Sequence, residues 1–379
     1  EILRDLLGMD RQAVDALAGE GAAKHEPEQR DGISIKLSAL FPRYEEAQRA
    51  RVMNELVPAA WILCERAARA GINLTIDAEE SERLELSLDV FEALARRVGA
   101  EYRQWHGLGF AVQAYQTRAL VTVSSVIDIA KHCGIRLMVR LVKGAYWDTE
   151  IKRAQMLGIP VYPVYTHKHH SDLSYLACAH ALLAEPAVVY PQFASHNAGT
   201  IASILQLAQT ARVPFELQRL HGMGERIYRE VLRDAAGTAC RVYAPVGQFR
   251  DLLAYLVRRL LENGANSSFL HQLADTSIPV PALLRSPLRV ARIPALPLPP
   301  DLYGAARSNS RGIDVAARDD LACLIEAGAL VTVASVPARA TNEIVALVDR
   351  LQDGFHEWSD RPVAHRAAVL RAAAGLLEA

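Results

Sequence analysis

Seven short apolar or β-branched runs, each followed by helical periodicity, constrain the fold of this chain more than any other feature. They lie near residues 33–40 (ISIKLSAL), 71–79 (GINLTIDAE), 109–116 (GFAVQAYQ), 136–145 (RLMVRLVKGA), 188–195 (VVYPQFAS), 214–222 (PFELQRLHG) and 241–247 (RVYAPVG). Successive starts are separated by 38, 38, 27, 52, 26 and 27 residues, the spacing of β/α units. The 52-residue step accommodates two helical stretches around the extended segment PVYPVY. Strands alternating with helices, without hairpin signals, predict a parallel sheet covered by helices. Seven strands fit a doubly wound sheet or a barrel lacking one member. The N-terminal stretch begins EILRDLLGMDRQAVDALAG and reads as helical, so an eighth strand is absent, disordered or misread there.

The pattern divides the chain into a helical segment 1–32, a barrel 33–275, a Pro-rich connector 276–310 and a helical region 311–379. The connector is marked by IPVPALLRSPL and IPALPLPPDLYG, and helical periodicity returns at 341–352 and 362–378. A chain of 379 residues buries a large core, and 42 basic against 43 acidic residues leave no cationic excess for nucleic acid. No run approaches the ~20 apolar residues of a membrane span, and no signal-peptide pattern opens the sequence, so a cytoplasmic chain is expected. Cys64, Cys133, Cys178, Cys240 and Cys323 form no CxxC pair and read as buried free thiols.

In an α/β barrel the reacting groups sit at the C-terminal strand ends and in the loops that follow. That rule selects Asp77, Glu79, Glu80, Gln113, Arg140, Lys143, His196, Asn197, His221 and Tyr243. Lys36 is read inside the first strand; lysines are few here, so one among apolar neighbours invites a role. Tyr255, Arg258, Arg259 and Glu262 share one helix face, and adjacent arginines suit bidentate capture of a carboxylate or phosphate. The same arginines equally suit a solvated pair bridged to Glu262. Asp77 and Glu79 serve equally as caps for the next helix. His167, His169 and His170 lack the carboxylate pattern of a metal site, and no glycine-rich phosphate cradle is present. Tyr146 and Trp147, taken alone, read as core aromatics.

The strings ISIKLSALFPRYE, LTIDAEESERLELSL, RLVKGAYWDTEIKRAQ, YPQFASHN, LHGMGE, VYAPVG and LAYLVRRLLENGANSSF together resemble the proline dehydrogenase domain of the proline utilization A family, over residues 33 to 275. The segments LPLPPDLYG and NSRGID resemble the family's connector toward its aldehyde dehydrogenase half, and residues 355–379 resemble an early helix pair of that half. The resemblance implies a distorted (β/α)8 TIM-like barrel that binds FAD over its strand ends. Lys36, Arg258 and Arg259 would hold the carboxylate of L-proline. Tyr146, Leu220, Tyr243 and Tyr255 would wall the pyrrolidine ring, with Asp77 orienting the polar groups. Gln113, Arg140, Val142, Lys143, Gly144, Ala145, Trp147, Thr166, His167, Lys168, Glu262, Ser268 and Phe269 match the family's flavin contacts, and His196 and Asn197 are carried over with them. Two departures accompany the match: no acidic first-strand motif precedes residue 33, and the aldehyde dehydrogenase nucleophile and nucleotide site are not found, so that second activity is not expected.

The resemblance further implies oxidation of L-proline to pyrroline-5-carboxylate, with electrons passing to a membrane quinone such as ubiquinone through peripheral association at the inner membrane. A cation such as Arg140 beside the flavin would favour its reduction, and no general base is required. Rival readings are another flavin barrel enzyme of the methylenetetrahydrofolate reductase kind, a hydroxyproline-selective relative and a flavin-free scaffold.

Overall fold

The computed structural model describes residues 30–235, 237–264, 272, 275–283, 286–287, 296–332, 335 and 337–378. The seven strands among them are β1 (Gly32–Ile35), β2 (Asn73–Ile76), β3 (Leu108–Gln113), β4 (Leu137–Val142), β5 (Val189–Ala194), β6 (Glu216–Leu220) and β7 (Ala239–Tyr243). Every neighbouring pair is parallel, and the order across the sheet is simply β1 to β7. A doubly wound sheet reverses its order at a switch point; this one never does, which leaves barrel winding. The helices between strands are α1 (Val57–Ala70), α2 (Leu84–Glu101), α3 (Ala119–Cys133), α4 (Trp147–Leu157), α5 (Lys168–Leu183), α6 (Ala198–Ala211) and α7 (Glu225–Asp234). Helix α8 (Phe249–Gly264) follows β7. The stretch before residue 30, which reads as helical in sequence with no eighth strand, lies outside the described residues.

Side chains show how strongly the sheet curls. Flat strands about 4.8 Å apart would leave β4 some 14 Å from β1. Yet Arg140 of β4 donates to Ser34 Oγ of β1 at 2.8 Å. Across six strand intervals, Arg241 Nη1 of β7 reaches the carbonyl of Arg30, just before β1, at 2.6 Å. Strand residues of one parity therefore share an interior: Ser34, Thr75, Gln113, Arg140, Gln192, Glu216, Gln218, Arg241 and Tyr243. The opposite parity, including Leu74, Ile76, Phe110, Val139, Leu141, Phe193 and Leu217, joins the apolar core under the helices. A polar interior and an apolar exterior follow from the two-residue alternation of the strands.

The first run differs from its predicted strand over 33–40. β1 ends at Ile35, and Leu37–Leu40 form a short helix for which Lys36, in extended conformation, is the N-terminal flanking residue. Lys36 thus stands just past a strand end instead of within a strand. The short helix is fastened from another loop, where Glu79 Oε1 accepts from the backbone of Ser38 at 3.0 Å and its other oxygen accepts from the Ser38 hydroxyl. Against the expectation of five buried thiols, only Cys64 and Cys178 are buried, Cys133 and Cys240 are half-buried and Cys323 is exposed; all five are free.

Contacts divide the chain into a unit ending at Leu324 and a unit Ile325–Ala379. Within the first, residues 296–320 form a strap tied down by polar contacts. Tyr162 Oη donates to the Pro297 carbonyl at 2.9 Å, and Asn309 Nδ2 donates to the carbonyl of Gln155 at 2.7 Å. Arg153 pairs with Asp314 at 2.6 Å and also with Glu82, while Arg318 pairs with Glu46 and Asp89 at 2.8 and 2.6 Å. The second unit holds the long helices Thr341–Asp360 and Val363–Glu378.

Candidate active site

Lys36, Asp77, Gln113, Leu220 and Tyr243 each occupy the last position of a strand or the first beyond it. Five of seven strand ends thus point their terminal residue at one rim. Beneath it, Arg140 is 8% exposed and all three of its nitrogens are engaged. Nη1 donates to Asp77 Oδ1 at 2.6 Å, Nε to Gln218 Oε1 at 2.8 Å, and Nη2 to Ser34. Asp77 Oδ2 accepts from Tyr243 Oη at 2.9 Å, and the Tyr243 ring faces the guanidinium with a centroid distance of 4.9 Å. Charge-assisted bonds among groups this shielded are the stronger kind. Burial pushes the Tyr243 phenol well above its ordinary pKa, and the Asp77 charge pushes the same way, so the phenol stays protonated and donating.

Asp77 is therefore not a helix cap. The turn following β2 begins at Ser81 and the helix at Leu84, neither with a side-chain cap, and both Asp77 oxygens face Arg140 and Tyr243. Glu79 caps, but the helix it caps is the one after Lys36.

A second pair stands beside the first. Lys36 Nζ donates to Tyr146 Oη at 2.9 Å. Burial alone would lower the Lys36 pKa, but the Tyr146 bond and the Glu79 and Asp77 charges outweigh it, so the ammonium is held above its ordinary value. On the far side, His196 Nε2 accepts the backbone N–H of Leu220 at 3.1 Å. Burial first, then the Arg259 and Arg219 charges, push the His196 pKa down to about 4, keeping the ring neutral and accepting. From α8, Arg259 lies over the Tyr255 ring at 5.5 Å from its centroid. The α8 backbone carries Arg258 and Glu262 on the same face, but their side chains lie outside the described residues, as do Ser268 and Phe269.

The other predicted contacts form an arc from the end of β4. Gly144 has φ +131°, a region that side chains avoid, and a Cβ there would meet the Tyr115 ring at 2.4 Å. Lys143, just past Val142, pairs with Asp172 and donates to Thr200 Oγ1 at 3.1 Å; burial lowers its pKa against the pull of Asp172. Ala145 leads to Tyr146 and to Trp147, whose indole N–H donates to the Tyr165 carbonyl at 2.8 Å. Thr166 precedes His167, whose Nε2 is buried without a hydrogen-bond partner among the described residues. Lys168 turns toward Asp172 at 3.5 Å. Gln113 is buried and donates to the Glu79 carbonyl at 2.7 Å. Asn197 is occupied locally: its Oδ1 caps α6 by accepting from Thr200 N at 2.9 Å. Asp77, Arg140 and Tyr243 are thus in direct contact, Lys36 and Tyr146 form an adjoining pair, and Trp147, Lys168 and Asn197 are engaged elsewhere.

Sequence reasoning missed the interior floor. Glu216, 2% exposed, accepts from Arg241, Gln218 and Gln192. The alternation in ELQRL was the available signal: Glu216, Gln218 and Leu220 fall on one strand face with Leu217 on the other.

A parallel barrel with cations, an acid and tyrosines gathered at its C-terminal strand ends is the layout of an α/β-barrel enzyme. The chain belongs to the proline dehydrogenase family, whose model matches residues 5–272. It is 50% identical over 337 residues to "Bifunctional protein PutA" of Escherichia coli (strain K12), a match covering 84% of this chain and 25% of that protein. It is 27% identical over 243 residues to "Proline dehydrogenase" of Deinococcus radiodurans, covering 63% of this chain and 68% of that one. A crystal structure of bifunctional proline utilization A superposes with a TM-score of 0.82 at 49% identity, covering 96% of this chain and 38% of that one. The chain spans about a quarter of the length of the PutA relatives it matches.

Proposed function

We propose that this chain is an FAD-dependent enzyme of proline catabolism that oxidises L-proline to pyrroline-5-carboxylate and passes the electrons to a membrane quinone. The observation that carries the reading is the Arg140–Asp77–Tyr243 cluster at the rim with Lys36 beside it, in a chain of the proline dehydrogenase family. The residues suit a flavin in two respects. The buried Arg140 and the half-buried Lys143 supply cations in β4 and just past its end, and His167 Nε2 is a buried polar atom without a partner among the described residues. Gln113, Arg140, the 142–145 turn, Trp147 and 166–168 would hold the cofactor, with His196, Asn197, Glu262, Ser268 and Phe269 around them. Bound there, FAD supplies a two-electron acceptor for the hydride of proline C5.

The chain's own groups orient and discriminate. Lys36, Arg258 and Arg259 would hold the proline carboxylate, and fixing the carboxylate fixes the ring carbon that reacts. Tyr146, Leu220, Tyr243 and Tyr255 would wall the ring. Asp77 holds Arg140 and Tyr243 in place with one oxygen each, and Arg140 would supply positive charge beside a bound flavin. The sequence resemblance supports the quinone acceptor and peripheral membrane association. No helix among the described residues is long and apolar enough to cross a membrane. A proline:quinone reductase assay on purified, flavin-loaded protein tests the reading: proline-dependent quinone reduction supports it, and its absence in protein that retains flavin refutes it.

A further inference from the structure

The amide of Gln218 lies between two charged groups in the barrel interior. Its Nε2 donates to Glu216 Oε1 at 2.6 Å, and its Oε1 accepts from Arg140 Nε at 2.8 Å. Both Gln218 and Glu216 are 2% exposed. A carboxylate only accepts and a guanidinium only donates, so the amide has a single satisfied orientation. Glu216 is itself pinned from β7, where Arg241 Nε and Nη2 reach its two oxygens at 2.8 and 2.9 Å, and from β5, where Gln192 Nε2 donates at 3.1 Å. A line of alternating charge results: Arg241, Glu216, the Gln218 dipole, Arg140 and Asp77, with Tyr243 at its end. Ser34 and Asp77 hold the two terminal nitrogens of Arg140, and Gln218 holds Nε.

We infer that Gln218, oriented by Glu216, is a positioning residue that fixes the Arg140 guanidinium and couples the buried Glu216 charge to it, so that the barrel floor sets the electron affinity of the flavin. The inference rests on the flavin-dependent function proposed above. It is specific to charge and orientation, because Gln218 meets neither rim nor solvent.

The test is the two-electron midpoint potential of FAD-loaded protein in two shape-conserving variants, Gln218→Glu and Glu216→Gln. In Gln218→Glu the introduced carboxyl faces Glu216 and Arg140. Protonated, that carboxyl donates to Glu216 and accepts from Arg140 as the amide does; ionised, it places a second negative charge beside Arg140. The potential then falls below wild type with rising pH until reduction is about tenfold less favourable, about 30 mV for a two-electron couple. Glu216→Gln removes a negative charge and is expected to shift the potential upward, by a factor of about three in the equilibrium, or about 15 mV. Loosened packing alone would not move the two variants in opposite directions. Potentials that stay at the wild-type value, or that move the same way in both, overturn the inference. If Gln218→Glu does not fold, Gln218→Met replaces it. The expected result is then a tenfold loss of kcat with KM within threefold of wild type and Glu216→Gln still shifted upward; wild-type values in both overturn the inference. Wild-type protein that binds flavin but is not reduced by proline overturns the proposed function instead.

Discussion

Replacing Asp77 by Asn separates an organising charge from a merely structural polar group. Asn keeps the shape and one acceptor, so the Arg140 contact at 2.6 Å persists with only the guanidinium charged, while Tyr243 Oη, now 2.9 Å from an amide NH2, loses its acceptor. Bonds to charged partners contribute roughly 1.5–3 kcal/mol against 0.5–1.5 kcal/mol for neutral ones, so losing the carboxylate partner of Tyr243 costs about 1–2 kcal/mol. Arg140 also loses its counter-charge; breaking a fully buried pair costs about 3–5 kcal/mol, and the 17% exposure of the Asp77 side chain keeps the total below that ceiling. The expected loss of stability is about 2–4 kcal/mol, roughly 4–16 °C in Tm at 2–4 °C per kcal/mol. If about 2 kcal/mol of it is expressed in the transition state, turnover falls roughly 30-fold. Thermal melts and steady-state proline oxidation on flavin-loaded protein read both quantities. Asp77→Asn protein with wild-type turnover, melting within about 2 °C of wild type, would refute the assignment.

Three further outcomes are expected. Arg259→Ala or Arg258→Ala raises the proline KM at least about tenfold, because a charge-assisted bond to a shielded carboxylate contributes roughly 1.5–3 kcal/mol; an unchanged KM in both removes the clamp. Tyr243→Ser opens space beside the ring and deletes the Asp77 bond, so proline turnover falls while relative use of 4-hydroxyproline improves; competition between the two substrates measures the ratio of kcat/KM, and an unchanged ratio takes Tyr243 out of the wall. His196 has a folded pKa of about 4, below its ordinary value, so the unfolded chain takes up its proton first as pH falls: the stability it contributes is complete above about pH 6.5 and lost progressively toward pH 4. Melting temperature should drop across that window, and His196→Gln should flatten the drop; an identical pH profile in the variant would contradict it.

Much of the architecture was legible because the period-two alternation and the β/α spacing are local properties of the chain. All seven runs overlap a strand, and Asp77, Gln113 and Tyr243 fall at strand ends, where barrel geometry sends functional side chains. The ISIKLSAL run misled because its alternation continues through Lys36 and Leu37, whereas the backbone turns into a helix held from outside by Glu79. No local pattern encodes that contact, which spans 41 residues. The same limit hid the floor of the site. Glu216 and Gln218 on β6 meet Arg241 across the neighbouring β7 and Arg140 from β4 across β5, and a single strand read alone cannot show those contacts. Asp77 was equally readable as a cap, and only the direction of its two oxygens decides the matter.

The most direct test of the central claim is anaerobic addition of L-proline to the purified, FAD-loaded chain while the flavin's visible absorbance is followed. The expected result is bleaching of that band with stoichiometric formation of pyrroline-5-carboxylate, reversed when a quinone is added. A flavin band that proline leaves unchanged, in protein whose flavin is reduced normally by dithionite, would contradict it.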